Sequence, residues 1–292
     1  MKKYVYYIGA FTALIIVLVW WQLSPSLNKD MAVIKYFPLN KKAEFLKSDT
    51  SLTMQEPVKN KEQYKVNWTT ESIINQKSFL RQDFSLLFQN GKLVDSLKGW
   101  KENTNKILQQ KMIEAHESSL FETVTMHYAE IHLNDGTPTS SYKITGAQLF
   151  VISSRYGPIK SFQMPESKEQ KDWAFTLSSV TSSRLTKVLN RYIEKENIDI
   201  TDYTVVPLTQ INSKEDELMK EYLPEKQTQI IEKLWEGLYS TYVLGIKKED
   251  GTVIDAKDST IPLILRKLNS KNLIILIQDK NGTIHTLMQR LP

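Results

Sequence analysis

The sequence predicts an α+β protein, an N-terminal transmembrane helix followed by a soluble region of mainly antiparallel sheet with packed helices. Three observations predict it. An uncharged, mainly apolar segment of 20 residues, 4–23, lies near the start of the chain. Strand-like and helix-like segments then alternate without a regular βαβ rhythm. Several turns carry the Asn-Gly or Asp-Gly dipeptides that tolerate the positive φ angles of tight hairpins.

Residues 1–3 read as a cytoplasmic tail and residues 4–23 as the transmembrane anchor. At 1.5 Å per residue a helix over 4–23 spans roughly 30 Å, the thickness of a bilayer's hydrocarbon core. Tyr4, Tyr6 and Tyr7 at one end and Trp20 and Trp21 at the other match interfacial aromatic belts. Ser24-Pro25 ends the helix, because the residue before proline is pushed out of helical geometry. The apolar run exceeds a signal-peptide core, and no small-residue cleavage site follows it. Lys2 and Lys3 favour a cytoplasmic N-terminus, although Lys29, Lys35, Lys41 and Lys42 reduce the asymmetry. The expected location is therefore the cell membrane, single-pass, with the soluble region extracytoplasmic.

Residues 24–65 read as a stalk broken by Pro25, Pro38 and Pro57. A first α+β subdomain is expected over 66–165 and a second over 173–292, separated by the charged stretch 165–171. Within the first, residues 84–94 carry Asn90-Gly91 at a hairpin turn. Residues 95–114 read as a helix, with Leu97, Trp100, Leu108, Lys111 and Ala115 on a loose face. Residues 121–133 and 140–154, rich in Thr, Val, Ile, Phe and Tyr, form a hairpin about Asn134-Asp135-Gly136.

Residues 173–180 read as a strand. The clearest helix follows: Leu185, Val188, Leu189, Tyr192 and Ile193 repeat at helical spacing, with Ser182 or Ser183 as N-cap. Val205 and Val206 end a short strand, and a polar helix occupies 214–222. Pro224 opens another helix that carries Ile230, Ile231, Leu234, Trp235 and Leu238 on one face. The remainder reads as strands with turns at Asp250-Gly251 and Asn281-Gly282.

Composition narrows the function. The charge is +5, and only six of the 38 basic residues are arginine. Base-edge readout and phosphate clamps draw on arginine, so nucleic acid is not an expected partner. The chain has no cysteine, which excludes disulfides, thiol nucleophiles and thiolate metal sites. Such a lysine-rich composition suits the envelope of a Gram-positive-type bacterium.

The motifs are sparse. His127 and His132 lie five apart in a strand, on opposite faces, so they do not share a metal; His116 and His285 stand alone. Ser26/Lys29 and Ser140/Lys143 repeat the spacing of Ser–Lys nucleophiles, at a frequency this composition produces by accident. No G-x-S-x-G, phosphate loop or dinucleotide fingerprint occurs. The acids Glu215, Asp216 and Glu217 read as a solvated face. Asn67 and Asn281 sit in glycosylation-type triplets, relevant only in a glycosylating host. Trp68, Trp100, Trp173 and Trp235 read as core fillers, with a surface cluster for a ligand as the minor alternative. Gly9 and Ala13 place small residues on one face of the anchor, where helices can approach.

No catalytic, cofactor-binding or metal-binding residue is therefore expected, and no cofactor. The expected function is a membrane-anchored extracytoplasmic interaction module: an accessory, assembly or sensor-regulating subunit. Its partners would be membrane lipid through residues 4–23 and another membrane or envelope protein. The alternative is a membrane-anchored hydrolase acting on cell-envelope material.

Overall fold

The computed structural model describes residues 37–55, 63–132, 136–154, 157–219, 222–248, 251–268 and 270–291. They belong to one compact unit, 35–292. About half of them lie in strands and about a quarter in helices. The expected fold class, α+β with an N-terminal transmembrane helix, is corrected accordingly. The chain is a predominantly antiparallel β-protein with helices as the minority. Among the described residues no helix is long and apolar enough to cross a membrane. The span expected at 4–23 lies outside the described residues.

The first sheet contains β1 (Phe45–Gln55), β2 (Tyr64–Gln89), β3 (Lys92–Ala115), β4 (Ser119–Ile131), β5 (Thr139–Ile152) and β6 (Lys160–Phe162). Its order is β1-β2-β4-β5-β6, with β3 also paired to β2. Residues 45–55, read as part of a stalk, thus supply a strand. The expected Asn90-Gly91 turn joins β2 to β3, with φ of 50° and 78°. The hairpin expected across 121–154 is β4 and β5, in register from Ser119↔Val151 to Ile131↔Thr139.

The expected helix over 95–114 is instead most of β3. Its Lys, Gln and Leu residues are good helix formers, but that preference is worth only tenths of a kcal/mol each, and pairing along the whole of β2 overrides it. The expected strand over 173–180 is instead part of α1 (Lys168–Glu196). The start signal lies further upstream than Ser182. Ser167 accepts from the Gln170 backbone N–H while the Gln170 side chain accepts from the Ser167 N–H, a capping box inside the charged stretch 165–171.

Bulges set the shape of the sheet. β2 pairs with β1 through its first half and with β4 through its second. Register shifts between Ile73 and Ser85 separate the two halves and bend the strand. Each one-residue slip also exchanges the faces. Tyr64, Val66, Trp68, Thr70, Ser72 and Ile74 point inward before the bulges; Ser85 and Leu87 do so after them. The sheet curls toward a four-strand barrel, and β1 reaches β5 through a 2.6 Å Thr50–Thr145 hydroxyl contact.

A second sheet, order β12-β11-β10-β7, combines β7 (Tyr203–Pro207), β10 (Leu263–Lys267), β11 (Asn272–Gln278) and β12 (Ile284–Arg290). Helices α2 (Ile211–Met219) and α3 (Pro224–Val243) and the short pair β8 (Ile246–Lys247) and β9 (Val253–Ile254) complete the chain. Proline opens α3 as expected. The largest core joins the outward faces of β2 and β4 to α1, α3 and the second sheet; it includes Phe84, Met126, Val188, Trp235, Ile264 and Ile275.

Candidate functional site

Two places bring chemistry-bearing side chains together: the lumen of the curled sheet and an open cleft at one of its ends. The lumen is layered. At one end Leu52, Trp68, Leu87, Phe121 and Leu149 pack as an apolar plug. At the other, Phe45, Ile74, Leu80, Ala129 and Ile131 form a second. Between them lies a polar belt.

The belt is a continuous hydrogen-bond chain. Gln109 Nε2 donates to the Gln82 carbonyls, main-chain at 2.9 Å and side-chain at 3.2 Å. Gln82 Nε2 donates to Ser72 Oγ at 2.6 Å. Ser72 Oγ lies 2.7 Å from His127 Nδ1, and His127 Nε2 lies 2.7 Å from Thr145 Oγ1. Since Ser72 Oγ already accepts from Gln82, its own proton points to Nδ1. The imidazole is then neutral and donates from Nε2. Burial favours the same state, holding His127 down at about 4 from an ordinary 6.5.

A serine in contact with a histidine is also the start of a nucleophile–base pair. A substrate must reach it, however, and Ser72, Gln82 and His127 have no exposed surface. The belt therefore works as structure: satisfied polar partners fix one register in a way apolar packing does not. Only His127 was singled out in the sequence. The signal for the others is the alternation of polar residues at inward positions: Thr70 and Ser72 on β2, Thr123, Thr125 and His127 on β4.

The cleft has a volume of about 500 Å³ and is lined by Lys77, Ser78, Phe79, Glu102, Asn103, Glu130 and His132. It sits where β2 and β3 are most irregular, with register shifts on either side of Ser78 and Asn103 at φ 49°. Trp100 meets Phe79 at a 53° tilt with ring centroids 5.3 Å apart, yet stays 58% exposed. Phe37 meets the ring of His132, a lining residue, edge-on at 6.2 Å. Glu130 anchors the floor through Arg81 Nη1 at 3.0 Å and His132 Nε2 at 3.5 Å. Lys77 and Glu102 are exposed.

The arrangement offers an aromatic wall and charges of both signs on a sheet braced from beneath. Trp100, read as part of the apolar face of a helix, faces solvent most among the four tryptophans in the described residues. Trp68 and Trp235 are fully buried, as expected of core fillers.

The other sequence candidates do not converge. Ser140 Oγ donates to the Phe37 carbonyl at 2.5 Å, stitching the segment 37–40 to β5, while Lys143 lies across the sheet from His127. His285 contacts Asp279 at 2.9 Å in the β11–β12 turn. His127 and His132 face different surroundings, one in the lumen and one at the cleft. Ser26 and Lys29 lie outside the described residues. Among the described residues no three histidine or acidic side chains form a metal-binding group. The chain matches no protein-family model, no curated protein and no solved structure.

Proposed function

We propose that this chain is a non-enzymatic interaction module, tethered to the membrane through the apolar segment 4–23, that binds a partner protein at the outer face. One observation carries the reading: Trp100, exposed to solvent and in ring contact with Phe79, a half-buried residue of the cleft lining. Tryptophan is among the residues most enriched at the energetic centres of protein interfaces. Lys77 and Glu102 at the rim add charges of both signs, which set orientation more than affinity. Tethering raises the effective concentration of the cleft against other membrane proteins, so modest contacts suffice. The hydrolase alternative would draw on Ser72 and His127, and neither has exposed surface.

The test is crosslinking of the full-length protein in intact membranes, followed by mass spectrometry of wild type and Trp100→Ala. We expect wild type to enrich a membrane protein, and the variant to lose at least tenfold of it at unchanged thermal stability. Truncating an interface tryptophan commonly costs about 2 kcal/mol or more. No enrichment in wild type, or equal recovery with the variant, overturns the proposal. A reporter at the C-terminus that signals only in the cytoplasm overturns the outer-face placement.

A further inference from the structure

The buried face of α1 is a single stripe: Leu177, Thr181, Leu185, Val188 and Tyr192. Four of the five are apolar or aromatic and pack tightly. Thr181 interrupts them. Its methyl group rests against Gly91, where an added Cβ would sit 3.1 Å from Thr181 Cγ2. Its hydroxyl is buried and finds no hydrogen-bond partner among the described residues.

Opposite it on β4 is a second buried polar group. Glu122 projects from the outward face of the sheet, toward α1 rather than into the lumen. Its Oε1 accepts from Thr209 Oγ1 at 2.9 Å. Its Oε2 is buried and finds no partner among the described residues. Desolvation raises the carboxyl above its ordinary range, against the Thr209 bond, which lowers it. No nearby charge enters on either side.

Both groups line one slot of about 100 Å³. Its floor is Leu120, Leu185, Pro207 and Ile261, and its mouth is formed by the exposed residues Gln148, Ser182 and Gln210. At roughly 30 Å³ per water molecule, the slot holds about three non-hydrogen atoms. Carboxylate, hydroxyl and amide oxygens supply its acceptors, and the only acid lies at the bottom.

We propose that this slot binds a primary alkylammonium group, with the ammonium donating to Glu122 Oε2 and Thr181 Oγ1 and a short stem lying against Leu120 and Leu185. An ammonium has three donors, enough for both unmatched oxygens and one acceptor at the mouth. The same chemistry belongs to a free small amine and to the tip of a lysine side chain.

Ethylammonium chloride is the probe, titrated against the full-length chain and followed by chemical-shift changes and thermal midpoint. Ethanol and potassium chloride serve as neutral and cationic controls. A ligand this small binds at roughly millimolar concentration. We expect saturable binding by ethylammonium alone, weakened at least tenfold by Glu122→Gln. Ser182→Trp closes the mouth without touching the floor, so it should abolish binding and leave the midpoint in probe-free buffer unchanged. Nα-acetyl-lysine methylamide distinguishes the sources. Tighter binding than ethylammonium assigns the slot to lysine side chains, and weaker binding assigns it to free amines. No saturation with either amine, an equal response to potassium chloride, or unchanged affinity in Ser182→Trp overturns the proposal.

Discussion

The core beneath the helices is apolar across its width, from Phe84 and Met126 on the sheet to Trp235 on α3 and Ile275 on β11. The lumen on the other side of the same strands holds a histidine, a glutamine and several hydroxyls between two apolar plugs. β4 serves both, with Val124 and Met126 facing one interior and Thr125 and His127 the other. The contrast teaches a division of labour. Hydrophobic burial scales with area and is indifferent to direction, so the larger core supplies most of the free energy. Hydrogen bonds are directional and cost most when half made, so the belt selects one curl and one register.

The largest test of that division removes bulk from the helical core. Trp235 is fully buried and meets Phe84 edge-on at 4.6 Å. Trp235→Ala is expected to cost about 3–5 kcal/mol, read from denaturant unfolding. A loss under 1 kcal/mol would mean that the helices add little to the sheet and that the comparison is drawn in the wrong place.

The sequence made the two interiors unequally legible. Helix α3 carries Ile230, Ile231, Leu234, Trp235 and Leu238 at helical spacing, and periodicity alone located that face. The β4–β5 hairpin was legible from its residue types and its turn. The reading failed at β3, where 95–114 holds few buried side chains and little inward alternation. A strand fixed by its partner leaves little pattern of its own. The lumen was hidden for a related reason. Bulges in β2 reverse the faces, so Ser72 and Ser85 both point inward from positions of opposite parity, which a strict period of two cannot anticipate. Trp100 and the cleft were misread along with β3, because a site built on a strand cannot be found in a segment read as a helix.

A second test probes the belt through its charge. The folded chain holds His127 neutral down to about pH 4, whereas the unfolded chain takes up a proton near 6.5. Below 6.5 the unfolded state therefore binds the extra proton, and stability falls with pH until the folded ring also titrates. The limiting loss is about 3 kcal/mol. Against His127→Gln, wild type should lose up to that amount between pH 6.5 and 4, measured by urea unfolding. Parallel profiles would mean that water reaches the ring and that the lumen is not sealed.

The smallest effect asks whether the helical core is as free of charge as it looks. Glu232 on α3 has one buried oxygen with no partner among the described residues, and desolvation lifts its carboxyl to about 7. Its sign is opposite to that of His127. The unfolded chain releases this proton near 4.5 and the folded chain keeps it, so stability falls as pH rises from 4.5 to 7. Between about 4.5 and 6.5 the folded state holds the glutamate's proton while the unfolded state holds the histidine's. The bound-proton numbers match, and the two slopes cancel. Glu232→Gln removes one side of that balance. Relative to wild type it should gain nothing at pH 4.5 and about 1 kcal/mol at pH 8, a figure kept small because solvent still reaches the group. Its own stability should climb between pH 4.5 and 6.5, where wild type stays flatter. If the two melting profiles run parallel from pH 4.5 to 8, the carboxyl ionises as it would in water and the opposition between the two interiors is lost.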